Sequence, residues 1–159
     1  MKNIIEIALT DDHADFRSLF AKQLIFESLG GIHIMLEAGN GAELLKGMRD
    51  QVPDIVLLDL HMPVMDGFET ARILHALFPE VILVGVTNDI PEMRQAERTR
   101  LGFRAFIRKD QEIGDVVRTL RRIRQGEVVF QPDSTSLDPW RISAGYSLNA
   151  LSQPLTTVY

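Results

Sequence analysis

The stretch Asp54-Ile55-Val56-Leu57-Leu58-Asp59-Leu60-His61-Met62-Pro63-Val64-Met65-Asp66-Gly67 constrains the fold more than any other part of the chain. Residues 55–58 are an unbroken apolar run led by β-branched side chains, the pattern of a strand covered on both faces in a parallel sheet. The run stops at Asp59, so the strand delivers one carboxylate to the carboxyl edge of the sheet, where open α/β sheets hold their ligands. Met62-Pro63 turns the chain, because proline cannot continue a ladder. Asp66 is placed to cap a helix that starts at Phe68.

The rest of the chain repeats this alternation. Residues 4–9 predict a strand ended by Thr10-Asp11-Asp12. Residues 13–28 predict a helix with Phe16, Leu19, Phe20 and Leu24 at helical spacing, stopped by Gly30-Gly31. Residues 32–37 give a more mixed strand suited to an edge, and residues 42–49 a short helix with Leu44, Leu45 and Met48 apolar. A third helix over residues 68–77 turns Phe68, Ala71, Ile73, Leu74 and Leu77 inward in part. Residues 81–86 are a second wholly apolar strand, ending on Thr87-Asn88-Asp89. Pro91 suits the first turn of a helix reaching Leu101, with Met93, Ala96 and Leu101 as a thin apolar stripe. Such a stripe predicts a lightly anchored element. Residues 103–107 read as a fifth strand followed by Arg108-Lys109-Asp110, and residues 113–123 as an amphipathic helix.

Five strand–helix alternations predict an α/β fold, a doubly wound five-stranded parallel sheet with right-handed crossovers. The flavodoxin-like order 2-1-3-4-5 keeps the two wholly apolar strands central. Residues 1–126 are expected to form this domain. Residues 127–159 lose the periodicity and read as a tail that packs on the domain or serves an interface, with Trp140 as a docking contact.

At 159 residues the chain has the size of one ordinary domain with an appendage. It has no cysteine, which excludes disulfides and Cys-based zinc sites. An early Glu6 argues against a signal peptide, and no apolar run reaches the length of a membrane span, so a cytoplasmic protein is expected. Charge is uneven: residues 1–89 carry 6 basic and 14 acidic side chains, net −8, and residues 90–126 carry 10 basic and 5 acidic, net +5. Mixed Arg and Glu on helices are ordinarily solvated faces, and no DNA-reading helix accompanies them. Direct nucleic-acid binding is not expected.

The polar strand ends form one constellation. Asp11 and Asp12 follow strand 1, Asp59 ends strand 3, Thr87 ends strand 4 and Lys109 ends strand 5, all at one sheet edge. Singly each has an ordinary role, as helix cap, turn residue or solvated charge; jointly they point to chemistry. Three clustered carboxylates call for a cation, and Mg²⁺, a hard ion that combines carboxylates with phosphate oxygens, is the natural one. Asp59 then becomes a nucleophile for a phosphoryl group, with Lys109 neutralising charge and Thr87 donating a hydrogen bond. The histidines His13, His33, His61 and His75 are too scattered for a His-rich metal site.

At these residues the sequence resembles the receiver domain of bacterial two-component response regulators. The matching pieces are Thr10-Asp11-Asp12-His13, residues 57–67, Val86-Thr87 and Phe106-Ile107-Arg108-Lys109-Asp110. The resemblance covers about residues 4–126 and is nearest to the subgroup that usually carries a C-terminal helix-turn-helix. It implies a phosphoacceptor at Asp59, loaded by a histidine kinase or phosphotransfer protein. It also implies Mg²⁺ held by Asp11, Asp12, Asp59 and the His61 backbone carbonyl. Thr87 and Phe106 would switch the face of helix 4, strand 5 and helix 5, with homodimerisation through helices 4 and 5 or the tail as one output. Nothing after Gly126 reads as a helix-turn-helix, and Phe103-Arg104 stands where such domains often have small residues. Two alternatives are a truncated DNA-binding transcriptional regulator and an aspartyl phosphatase of the haloacid-dehalogenase type. The latter wants a second aspartate where this chain has His61.

Overall fold

The computed structural model describes residues 3–130. In chain order they form β1 (Ile5–Thr10), α1 (Ala14–Glu27), β2 (Ile32–Ala38), α2 (Gly41–Gly47) and β3 (Ile55–Asp59). There follow α3 (Gly67–Leu77), β4 (Ile82–Thr87), α4 (Gln95–Arg100), β5 (Phe103–Arg108) and α5 (Ile113–Arg124). The five strands are parallel, in the order β2-β1-β3-β4-β5.

Alternation along each inner strand divides the core in two. Ile55 and Leu57 of β3 join Ile7, Leu9, Val84 and Val86 on the side of α1 and α5, under Leu24, Val116 and Leu120. Val56 and Leu58 face the other way, into a cluster with Leu44, Met48, Leu74 and Phe103. All of β3 is buried, as an unbroken apolar run requires, whereas β2 at the edge is mixed. Asn40 and Asp66 cap α2 and α3 by accepting the backbone N–H groups of Glu43 and Glu69. Gly67 makes a tight junction with backbone: a Cβ there would lie 2.3 Å from the Asp59 carbonyl oxygen, so only glycine lets α3 start against the end of β3.

Several expectations need correction. Leu19 and Leu77 are exposed, because the sheet meets only one side of α1 and α3. The helix expected from Pro91 spans only Gln95–Arg100; Arg94 at its start offers no side-chain cap, and Ala96 is exposed. Its buried side chain is Arg98, whose guanidinium lies 5.5 Å from the Phe106 ring centroid and 5.4 Å from that of Phe130. The first residues of the segment expected as a tail, 127–130, pack on the domain, an arrangement which that reading allowed. Val129 forms a parallel bridge with Ala105, its N–H donating to the Arg104 carbonyl at 2.7 Å, and Phe130 stacks near Phe106 at 5.9 Å. Arg104 sits at an irregularity in the β4–β5 register that leaves Phe103 fully buried. Trp140 and residues 131–159 lie outside the described residues.

Candidate functional site

β1 and β3 are neighbours, and a parallel pairing carries both of their carboxyl ends to one edge. Asp11 follows β1 and Asp59 ends β3. Each divides its two oxygens between structure and site. Asp11 Oδ1 accepts the His13 backbone N–H at 2.8 Å, and Asp59 Oδ1 accepts that of His61 at 3.1 Å. This is the local bond by which an aspartate turns the chain two residues on. The second oxygens face one cation: Lys109 Nζ stands 2.6 Å from Asp11 Oδ2 and 3.2 Å from Asp59 Oδ2. The Lys109 backbone N–H donates to the Thr87 carbonyl at 2.9 Å, which fixes the end of β5 against β4. The side chains of Asp11, Asp59 and Lys109 are 1%, 3% and 13% exposed, so these charges interact with little screening.

Burial pushes the Asp59 carboxyl above its ordinary pKa of 3.8, and the Asp11 charge adds to the rise; the His61 N–H and Lys109 oppose it. Burial by itself would lower the Lys109 pKa, but hydrogen bonding and attraction to Asp11 and Asp59 outweigh it and raise the pKa above 10.5. Lys109 is therefore held as a cation.

Ligand atoms of Asp11, Asp12, His13 and Asp59 lie within 4.8 Å of one another. Although the four histidines are scattered in sequence, the structure places His13 Nδ1 3.4 Å from Asp11 Oδ1 and 3.2 Å from Asp12 Oδ1, on a side chain 70% exposed. Asp12 Oδ1 is buried and accepts no hydrogen bond among the described residues. An oxygen-rich set with an orphaned carboxylate oxygen fits a hard divalent cation.

Of the predicted site residues, Asp11, Asp12, Asp59 and Lys109 come together. Thr87 stands beside them at the end of β4, fully buried, its hydroxyl donating to the Asp89 carbonyl at 3.0 Å. At His61 the engaged group is the backbone N–H, and the side chain is exposed. Phe106 lies over Gly85, where a Cβ would come within 2.4 Å of its ring, with Phe103 at 4.9 Å behind it. Sequence reasoning missed two contributors on α1. Arg17 donates to the Asp11 carbonyl, and the Phe16 ring lies 4.7 Å from Lys109 Nζ. The available signal was position: a residue one turn into a helix shares space with the strand end that precedes it.

The chain belongs to the response regulator receiver domain family, whose model matches residues 7–121. It is 27% identical over 140 residues to the transcriptional regulatory protein LnrK of Bacillus subtilis (strain 168), covering 87% of this chain and 63% of that protein. It is 26% identical over 129 residues to the response regulator GacA of Pseudomonas viridiflava, covering 81% and 59%. The chain thus spans about three-fifths of the length of these relatives. Among solved structures, the signal receiver domain of the putative response regulator NarL from Mycobacterium tuberculosis superposes with a TM-score of 0.70 at 23% identity, covering 79% of this chain and 99% of that one. The REC domain of RcsB from Salmonella enterica serovar Typhimurium, with the phosphomimetic BeF3-, gives 0.70 at 17% identity, covering 82% and 96%. Membership of this family leaves the haloacid-dehalogenase alternative without support.

Proposed function

We propose that Asp59 is the phosphoacceptor of a phosphorelay, taking its phosphoryl group from a cytoplasmic histidine kinase or phosphotransfer protein. The observation that carries this reading is the shared cation: Asp11 and Asp59 each commit one oxygen to a turn and present the other to Lys109. In the transfer, a carboxylate oxygen of Asp59 forms a bond to phosphorus as the phosphorus–nitrogen bond of the donor phosphohistidine breaks. The imidazole leaves with that bond's electron pair, and the product is an acyl phosphate. Lys109 compensates the charge that accumulates on the phosphoryl oxygens. Asp11, Asp12, Asp59 and the His61 carbonyl are the proposed ligands of Mg²⁺, which when bound supplies further charge neutralisation. Thr87 would turn its hydroxyl from the Asp89 carbonyl toward the phosphoryl group, and Phe106 would transmit the change to α4, β5 and α5. The chemistry is confined to loading and losing the phosphoryl group, with no turnover of an external substrate.

Incubation with Mg²⁺ and acetyl phosphate, followed by mass spectrometry, is expected to find one acid-labile phosphoryl adduct on Asp59, absent from Asp59→Asn. An adduct elsewhere, or none, overturns the reading.

The names of curated relatives favour transcriptional control as the output of the pathway. Every helix of residues 3–130 is flanked by strands or ends the series, so these residues contain no helix-turn-helix. For residues 3–130 themselves, output is proposed to run through protein contacts, including homodimerisation. A mobility shift of promoter DNA by the protein alone would instead favour a DNA-binding regulator.

A further inference from the structure

Lys109 has a third neighbour besides its two carboxylates. Its ammonium lies over the Phe16 ring, 4.7 Å from the centroid. The ring has little freedom to yield. Phe16 packs against the core cluster and stacks on buried Phe20, with centroids 5.2 Å apart and planes inclined by 21°. The adjacent Arg17 ties the start of α1 to the Asp11 carbonyl. We infer that Phe16 is a positioning residue for phosphoryl acceptance, holding the Lys109 ammonium at the acidic pocket through its aromatic face. This deepens the phosphoacceptor reading and rests on it.

The need follows from what happens to the carboxylates. A divalent cation drawn to Asp11, Asp12 and Asp59 competes with Lys109 for the same oxygens, and a phosphoryl group on Asp59 introduces new ones. Lysine is a compact charge on a flexible four-carbon stem, free to follow whichever anion is strongest. An aromatic face attracts that charge through its quadrupole without consuming an N–H donor. Phe16 therefore fixes the ammonium in place and leaves all three of its donors for Asp11, Asp59 and an incoming phosphoryl oxygen. Leucine would fill the core without exerting that pull.

Three variants of the full chain separate positioning from packing: Phe16→Leu, Phe16→Tyr and Phe20→Leu, which disturbs the stack without touching Lys109. The first readout is the Lys109 ε-methylene resonance, assigned by its loss in Lys109→Arg. The ring current should displace it upfield in the native protein, Phe16→Tyr and Phe20→Leu, and the displacement should vanish in Phe16→Leu. The second is the rate of phosphoryl acceptance from acetyl phosphate at saturating Mg²⁺. Phe16→Leu should be slower by about three- to tenfold, with Mg²⁺ affinity altered less than about twofold, and Phe16→Tyr should recover most of the rate. An undisplaced resonance in the native protein, or a native rate in Phe16→Leu, overturns the inference. If the native protein accepts no phosphoryl group, the phosphoacceptor reading fails, and the resonance alone decides whether Phe16 holds Lys109. Should Phe16→Leu not fold, Phe16→Met carries the same comparison.

Discussion

Asp11 and Asp59 are at once turn residues and site residues, and burial makes the charge on Asp59 costly to hold. Burial raises the Asp59 pKa, so the unfolded chain releases that proton at lower pH than the folded one. Without divalent cations, stability should fall as pH rises from the ordinary value near 3.8 through the raised folded value. Asp59→Asn should remove that part of the pH profile and raise the melting temperature at neutral pH by a few degrees. Calorimetry between pH 4 and 8 checks both. Backbone strain falls in the β3–α3 loop, where Val64 has φ 71° and is 86% exposed. A β-branched side chain is costly in that region, and asparagine tolerates it. Val64→Asn should therefore stabilise by about 1 kcal/mol in urea unfolding, leaving phosphoryl acceptance unchanged. The acidic cluster was legible because each acid closes an apolar strand. Phe16 was not, since helical spacing alone assigns it to the core, and the same ring serves core and lysine together.

At the scale of elements, β5 and its surroundings depart furthest from what periodicity shows. The thin stripe of α4 was readable, but neither the shortness of the helix nor the burial of Arg98 was. Its aromatic partners are Phe106 on β5 and Phe130 beyond α5, brought near only by the fold. A charged residue on a helix reads as solvated until such partners are known. The same limit hid Val129, whose single bridge to Ala105 is too short to produce strand alternation. Phe130→Ala removes a ring from both Arg98 and Phe106. It should destabilise by about 1–2 kcal/mol and speed hydrogen exchange at the Val129 amide, while amides of buried β1 exchange as before. Unchanged exchange at Val129 would show that Phe130 does not hold this segment to β5.

Across the whole molecule, the two-sided core and the shared edge followed from five alternations of pattern, which require the two wholly apolar strands to be central but do not by themselves fix the strand order. Opposite faces of a central strand must be covered, and parallel strands put their ends together. Boundaries shifted by a residue or more where caps rather than periodicity decide them, as at Asp66, which starts α3 at Gly67. The acidic edge is the part least at ease with itself, and a ligand that binds only the folded state adds stability in proportion to the logarithm of its concentration. Millimolar Mg²⁺ should raise the melting temperature beyond what the same ionic strength of Na⁺ achieves, and Asp12→Asn should abolish the difference. The bridge at Val129 has a consequence for whatever the chain carries further on. With Phe130 resting on Phe106, any such group starts beside the aromatic proposed to move, and its meeting with that face is an event within one chain. Such encounters are indifferent to how many copies of the protein the cell contains.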